Sequence, residues 1–229
     1  MLPVSEVYGP VLQGEGPRAG RACGFVRFGG CNLSCSWCDS PYTWDASRYD
    51  LRTEITQWSV ADILHDARDW PEVILTGGEP LMHQKNPDWG PLLRGFFKMG
   101  IPIAVETNGT IAPTQSTATL VHHYSISPKL GNSGEHKKNQ NTEVAVWPDE
   151  AKSRSILKFV VTCADDVYEA AEIGNALGWT PDKVWVMPEG VTREAVLASW
   201  QIIFETAAQL GINASQRLHV LAFDDKRKV

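Results

Sequence analysis

The sequence predicts an α/β protein built as a partial, laterally open β/α barrel with about six parallel strands, and three observations point to it. The β-rich segments are near-continuous apolar runs, the pattern of strands covered on both faces. Amphipathic helical segments alternate with them, and a βαβα order implies right-handed parallel crossovers. Polar residues collect just after successive strands, at the rim where β/α barrels keep their active sites. The 229 residues, 43% of them hydrophobic, can bury a full core and are read as one domain spanning 1–229.

Strands are expected in the apolar segments 23–28, 73–76, 103–107, 124–127, 156–162, 184–187 and 218–222. A helix is expected over 59–69, where Ser59 and Asp62 make a capping-box variant and Val60, Ile63, Leu64 and Ala67 share one face. Helices over 165–177 and 193–210 repeat the pattern and stop at Gly178 and Gly211. No internal repeat or clear linker interrupts this order. The polar segment 131–142, GNSGEHKKNQNT, is expected to be a mobile loop.

Arg27 and a cysteine cluster follow the first run, Thr76-Gly77-Gly78-Glu79 the second, and Glu106-Thr107-Asn108-Gly109 the third. Ser127-Pro128-Lys129 follows the fourth and Met187-Pro188-Glu189-Gly190 the sixth. A net charge of −6 gives no general field for phosphate backbones or anionic lipid, so neither nucleic acid nor a membrane is an expected partner. The start of the chain has no basic flank before an apolar run, and no stretch of 18 apolar residues occurs, so a soluble cytoplasmic protein is expected.

Three of the five cysteines, Cys31, Cys35 and Cys38, fall within eight residues in GGCNLSCSWCDS, which suits a metal site better than a disulfide framework. Cys23 and Cys163 sit in apolar segments and are expected to be buried thiols. Three thiolates in one loop can hold a 4Fe-4S cluster while leaving one iron open, because full cysteine ligation needs four. A structural zinc site is the alternative. It would need a fourth ligand and closed tetrahedral geometry, and neither spare cysteine has zinc-knuckle spacing.

The cysteine loop resembles that of radical S-adenosylmethionine enzymes, and Gly77-Gly78-Glu79-Pro80 after VILT resembles the GGEP element of the same superfamily. In that superfamily the amino and carboxylate groups of S-adenosylmethionine chelate the open iron. An electron from the cluster then cleaves a C–S bond and releases a 5'-deoxyadenosyl radical. The segments LQGEGP at 12–17, FVRFGGCNLSCSWCDS with Trp44 close behind, TGGEP, ETNG, SPK and RLHVLAFDDKR are similar to the 7-carboxy-7-deazaguanine synthase family across nearly the whole chain. The resemblance implies conversion of 6-carboxy-5,6,7,8-tetrahydropterin to 7-carboxy-7-deazaguanine with loss of ammonia, on the route to queuosine and other deazapurines. It also implies a homodimer and an external electron donor such as flavodoxin or ferredoxin.

By the same resemblance Trp37, Cys38, Asp39, Gly78, Glu79, Ser127, Pro128, Lys129, Met187 and Glu189 would contact S-adenosylmethionine. Glu106 ends a strand and has two oxygens suited to a ribose diol. For the pterin, Arg27 offers a planar fork for a carboxylate, while Leu12, Gln13, Gly14, Glu15 and Thr76 could read the ring and His219 could close the pocket. The family places threonine after the loop's aspartate, where its hydroxyl helps bind Mg²⁺. Here Ser40 keeps the oxygen and loses the rotamer-restricting methyl. Competing readings are a glycyl-radical activase, which needs a protein-docking face, and a non-catalytic metal-binding scaffold, which would not cleave S-adenosylmethionine.

Overall fold

The computed structural model describes residues 1–135 and 146–229. Among these, the strands are β1 (Leu2–Leu12), β2 (Ala22–Phe28), β3 (Thr56–Trp58), β4 (Val73–Gly77), β5 (Ile103–Thr107), β6 (His123–Ile126), β7 (Ser155–Val161), β8 (Val184–Pro188) and β9 (Asn213–Ala214). They form one sheet in the order β3-β1-β2-β4-β5-β6-β7-β8-β9. From β2 onward every neighbouring pair is parallel, whereas β1 runs antiparallel to both β2 and β3. The edge strands β3 and β9 do not pair with each other, so the barrel is open. The six longer parallel strands are those that the apolar runs predict.

Strand periodicity explains how apolar runs can carry a polar site. Val26, Phe28, Val73, Leu75, Ile103, Val105, Leu157 and Phe159 all pack into one core beneath the helices. The residues between them point to the opposite, concave face. Low on that face Cys23, Phe25, Ile74 and Ala104 form a second small core. Above it, Arg27 pairs in register with Thr76 and Glu106 with Ser125, so polar groups of neighbouring strands meet there.

The helix Val60–Asp66 begins as expected: Ser59 Oγ accepts from the Asp62 backbone N–H at 3.1 Å and donates to its carboxylate at 2.6 Å. The helix Ala164–Ala176 also matches. The expected helix over 193–210 is two helices, Arg193–Ala198 and Trp200–Leu210, joined at Ser199. Serine hydrogen-bonds readily outside helical geometry and favours such boundaries.

Two expectations are corrected. The run at 218–222 is a helix, Leu218–Phe223, not a strand: Leu221 N–H bonds back to the Arg217 carbonyl, and β9 has already taken the last place in the sheet. Short apolar runs do not distinguish the two by periodicity. Cys23 is fully buried as expected, but Cys163 is exposed, because it lies past the end of β7 as the N-cap of the following helix. In the segment 131–142, the first five residues are built into the structure through a 3-10 turn at Gly131–Ser133, and 136–142 lie outside the described residues. Among the described residues no helix is long and apolar enough to cross a membrane.

Candidate active site

The concave face opens into a cavity of about 560 Å³ at the C-terminal ends of the parallel strands, within the range of small-molecule sites. All three loop cysteines line it, with Ser40 on the same loop. Gly78 shows why two loops can meet there. A Cβ at this position would fall 1.9 Å from the Gly30 carbonyl oxygen and 3.0 Å from Cys31 Cβ, so only glycine permits the approach. Gly78 N–H donates to the Phe28 carbonyl at 3.0 Å and Glu79 N–H to that of Gly30 at 2.8 Å, locking the turn against the cysteine loop.

Burial pushes the Cys31 thiol up to about 12, and Cys35 is raised for the same reason. Such thiols become thiolates at neutral pH only when a cation compensates the charge, as a coordinated iron does. Tetrahedral zinc with Zn–S near 2.3 Å would draw its sulfurs to about 3.8 Å apart. Among the described residues no three His, Cys, Asp or Glu side chains gather as single-ion ligands. Cys31, Cys35 and Cys38 all line one cavity, and three thiolates suit a cubane that leaves one iron for a non-protein ligand.

The start of the 131–142 segment braces this loop. Trp37 Nε1 donates to Asn132 Oδ1 at 3.0 Å, Ser36 N–H to the Ser133 carbonyl at 3.1 Å, and Ser34 Oγ to Glu135 Oε1 at 2.6 Å. Lys129 lies 5.3 Å from the Trp37 ring centroid and donates to Ser127 Oγ at 2.8 Å. Ser127 and Lys129 line the cavity.

Across the cavity runs a buried chain of charges. Glu15 accepts from Lys158 Nζ at 2.5 Å and from Arg217 Nε at 2.9 Å. Lys158 also lies 3.7 Å from Glu106, which accepts from Thr76 Oγ1 at 3.0 Å and Gln13 Nε2 at 3.1 Å. Arg217 Nη2 reaches Asp39. Burial alone would raise Glu15, but Lys158 and Arg217 outweigh it and hold the carboxyl well below its ordinary range. A depressed native pKa stabilises the fold above the unfolded value, and that stability is lost as pH falls through the native value. Urea unfolding of the apoprotein is therefore expected to show stability falling below pH about 4.3, at up to about 1.4 kcal/mol per pH unit for Glu15. Glu15→Gln should flatten that slope; an unchanged slope would remove Glu15 as its source.

His219, on the helix Leu218–Phe223, closes this side. A Cβ on Gly14 would fall 2.0 Å from His219 Nδ1, and Leu218 N–H donates to the Gly14 carbonyl at 2.9 Å. Arg27 also lines the cavity, with Nε on Glu6 at 3.0 Å and Nη2 on the Tyr8 hydroxyl at 3.4 Å. Glu6 is shared with Tyr42 at 3.1 Å and Arg227 at 2.8 Å, and Arg227 stacks 3.7 Å over the Tyr42 ring. Arg27 thus keeps Nη1 without a partner among the described residues. Ser40 Oγ bonds Asp39 Oδ1 at 3.1 Å and makes no capping bond to the turn at Pro41–Thr43.

Comparison with known proteins identifies this arrangement. The family model for the radical SAM superfamily matches residues 25–127, which contain the cysteine loop and the GGEP turn. The 7-carboxy-7-deazaguanine synthase of Pyrobaculum aerophilum is 32% identical over 222 residues, covering 94% of this chain and 92% of that protein. The synthase of Hyperthermus butylicus is 32% identical over 237 residues, covering 96% and 92%. The chain belongs to the 7-carboxy-7-deazaguanine synthase family. The crystal structure of QueE from Escherichia coli aligns with a TM-score of 0.67 at 24% identity, over 95% of this chain and 94% of that one, so the likeness extends to the fold. Membership makes this a radical S-adenosylmethionine enzyme, with a 4Fe-4S cluster and S-adenosylmethionine as cofactors, and removes the case for an activase or an inert scaffold.

Most residues singled out by family resemblance reach the cavity: Leu12, Gln13, Gly14, Glu15, Arg27, Trp37, Asp39, Thr76, Glu106 and Met187 line it with those already placed. Glu79, Pro128 and Glu189 do not. The Glu79 carboxylate is fully buried and accepts from Leu81 N–H, Thr107 Oγ1 and Asn108 N–H at 2.7–2.9 Å, tying the GGEP turn to the end of β5. Pro128 is buried, and Glu189 donates its backbone N–H to the Val161 carbonyl at 2.9 Å. Sequence reading missed Glu6, Lys158, Arg217 and Arg227. Lys158 had a signal, a lone charge inside the apolar run SILKFVV, since a buried lysine is rare unless paired.

Proposed function

We propose that the chain converts 6-carboxy-5,6,7,8-tetrahydropterin to 7-carboxy-7-deazaguanine with loss of ammonia, acting as a carbon–nitrogen lyase. The observation that carries this is one cavity lined both by the three cysteines and by the hydrogen-bonding set of Arg27, Gln13, Glu15 and Thr76. When bound at Cys31, Cys35 and Cys38, the cluster with S-adenosylmethionine supplies a carbon-centred radical to the substrate.

The chain's own residues bind and orient. Arg27 meets the pterin carboxylate through the part of its fork that Glu6 and Tyr8 leave free. Gln13 and Thr76 present hydrogen-bonding groups to the ring edge, and the Glu15–Lys158–Arg217 chain holds that wall rigid. Glu106, Ser127 and Lys129 take the adenosyl part of the cofactor, and His219 covers the pocket and excludes water. A homodimer in the cytoplasm, reduced by a flavodoxin or ferredoxin, completes the proposal. Anaerobic reconstitution, then incubation with 6-carboxytetrahydropterin, S-adenosylmethionine and a reductant, tests it by product mass. Cleaved cofactor with no deazaguanine would refute the substrate.

Ser40 is assigned to Mg²⁺ beside the substrate carboxylate. Neighbouring oxygens on Ser40 and Asp39 suit an ion that takes one or two protein ligands and fills its remaining sites with substrate and water. Turnover of metal-stripped enzyme is expected to rise on adding Mg²⁺. Ser40→Ala should lose most of that response and Ser40→Thr should keep it, since the methyl restricts χ1. An unaltered Mg²⁺ titration in Ser40→Ala would rule the ligand role out.

A further inference from the structure

Trp44 follows Cys38 by six residues, and its indole Nε1–H donates to Cys38 Sγ at 3.3 Å. An indole nitrogen only donates, so the sulfur is the acceptor. The contact is built by the cysteine loop itself. Trp44 N–H closes the 3-10 turn on the Pro41 carbonyl at 3.0 Å, Thr43 Oγ1 bonds the Ser40 carbonyl at 2.8 Å, and Gly30 N–H holds the Thr43 carbonyl at 2.7 Å beside Cys31. Cys31 Sγ receives only the backbone N–H of Leu33, at 3.5 Å. Among the described residues, Cys38 is the one of the three with a side-chain donor.

We propose that Trp44 tunes the reduction potential of the 4Fe-4S cluster, through its N–H on the Cys38 thiolate. Hydrogen bonds to ligand sulfurs are among the protein's levers on such potentials. Reduction places more negative charge on the cluster and its thiolates, and a donor stabilises the more negative state more strongly, so the bond raises the potential. The cluster is thereby easier for a protein donor to reduce. The inference rests on the reading of Cys31, Cys35 and Cys38 as cluster ligands, and it makes Trp44 a positioning residue, not a catalytic one.

The test compares reconstituted wild type, Trp44→Phe, and protein with Trp44 replaced by 3-benzothienylalanine, which keeps the bicyclic shape and replaces N–H with sulfur. EPR-monitored redox titration without S-adenosylmethionine reads the potential, and iron and sulfide content reads cluster loading. Both variants are expected to load fully. At a fixed applied potential near the wild-type midpoint, each should show a reduced-to-oxidised ratio about tenfold lower, about 59 mV for one electron. An unchanged midpoint in the benzothienyl protein overturns the proposal whatever Trp44→Phe does, because packing would then explain any effect of phenylalanine. If Trp44→Phe does not load, the benzothienyl protein decides alone. Wild type that holds no 4Fe-4S cluster would overturn the ligand reading, and this inference with it.

Discussion

Cys31→Ala, Cys35→Ala and Cys38→Ala are each expected to lose the brown chromophore of the reconstituted protein and all turnover. Two thiolates cannot secure a cubane that already leaves one iron to a non-protein ligand. No spare cysteine is placed to rescue the loss: Cys23 is fully buried in the small core with Phe25, Ile74 and Ala104, and Cys163 is exposed at the start of a helix past β7. Cys23→Ala and Cys163→Ala should therefore keep both chromophore and product formation. The measurements are absorbance near 400 nm after anaerobic reconstitution, as a rough marker of cluster charge transfer, iron and sulfide per chain, and product by mass. Full activity in any one of the three loop variants would defeat the cluster assignment.

The largest stability effect is expected at Lys158. Its ammonium is almost fully buried, 2.5 Å from Glu15 and 3.7 Å from Glu106. Lys158→Met keeps much of the aliphatic volume and removes the cation from between two carboxylates. Breaking a buried ion pair from one side typically costs about 3–5 kcal/mol, because a charge is left without its partner. Here Arg217 still holds Glu15, so the expected loss is about 3 kcal/mol, the lower end of that range. Urea unfolding of the apoprotein at neutral pH measures it. Adding Glu15→Gln to Lys158→Met should recover part of the loss, since the orphaned charge is then gone; two changes that simply add would mean the pair is not coupled.

The parallel core was legible because strands 73–77, 103–107 and 184–188 are short apolar runs bounded by turn residues, and nothing competes with that reading. β1 was not. LPVSEVYGPVL alternates Leu2, Val4 and Glu6 inward, and the inward glutamate together with Gly9-Pro10 conceals a strand that pairs outside the parallel order. The cysteine loop was legible because its three cysteines are adjacent in sequence. Arg27 was legible as a cation at a strand end, but its partner Glu6 was not, because the pairing depends on the antiparallel register of β1 on β2. Arg217 and Arg227 were hidden by the misread strand at 218–222. As part of a helix and its approach, those residues fold back over the cavity, which no local pattern reveals.

The counterions of the site lie at opposite ends of the chain: Arg217 bonds Glu15 across 202 positions and Asp39 across 178, and Gly16 N–H bonds Ser215 Oγ across 199. A ribosome adding about 5–20 residues per second delivers Arg217 roughly 10–40 s after Glu15. For most of that interval the cysteine loop exists without the helix that covers it, while the parallel strands are added one after another up to β8 (Val184–Pro188). Vectorial synthesis thus separates two events that the finished structure presents together. The cysteine loop emerges before the segment that carries Ser215 and Arg217, which bond Gly16, Glu15 and Asp39.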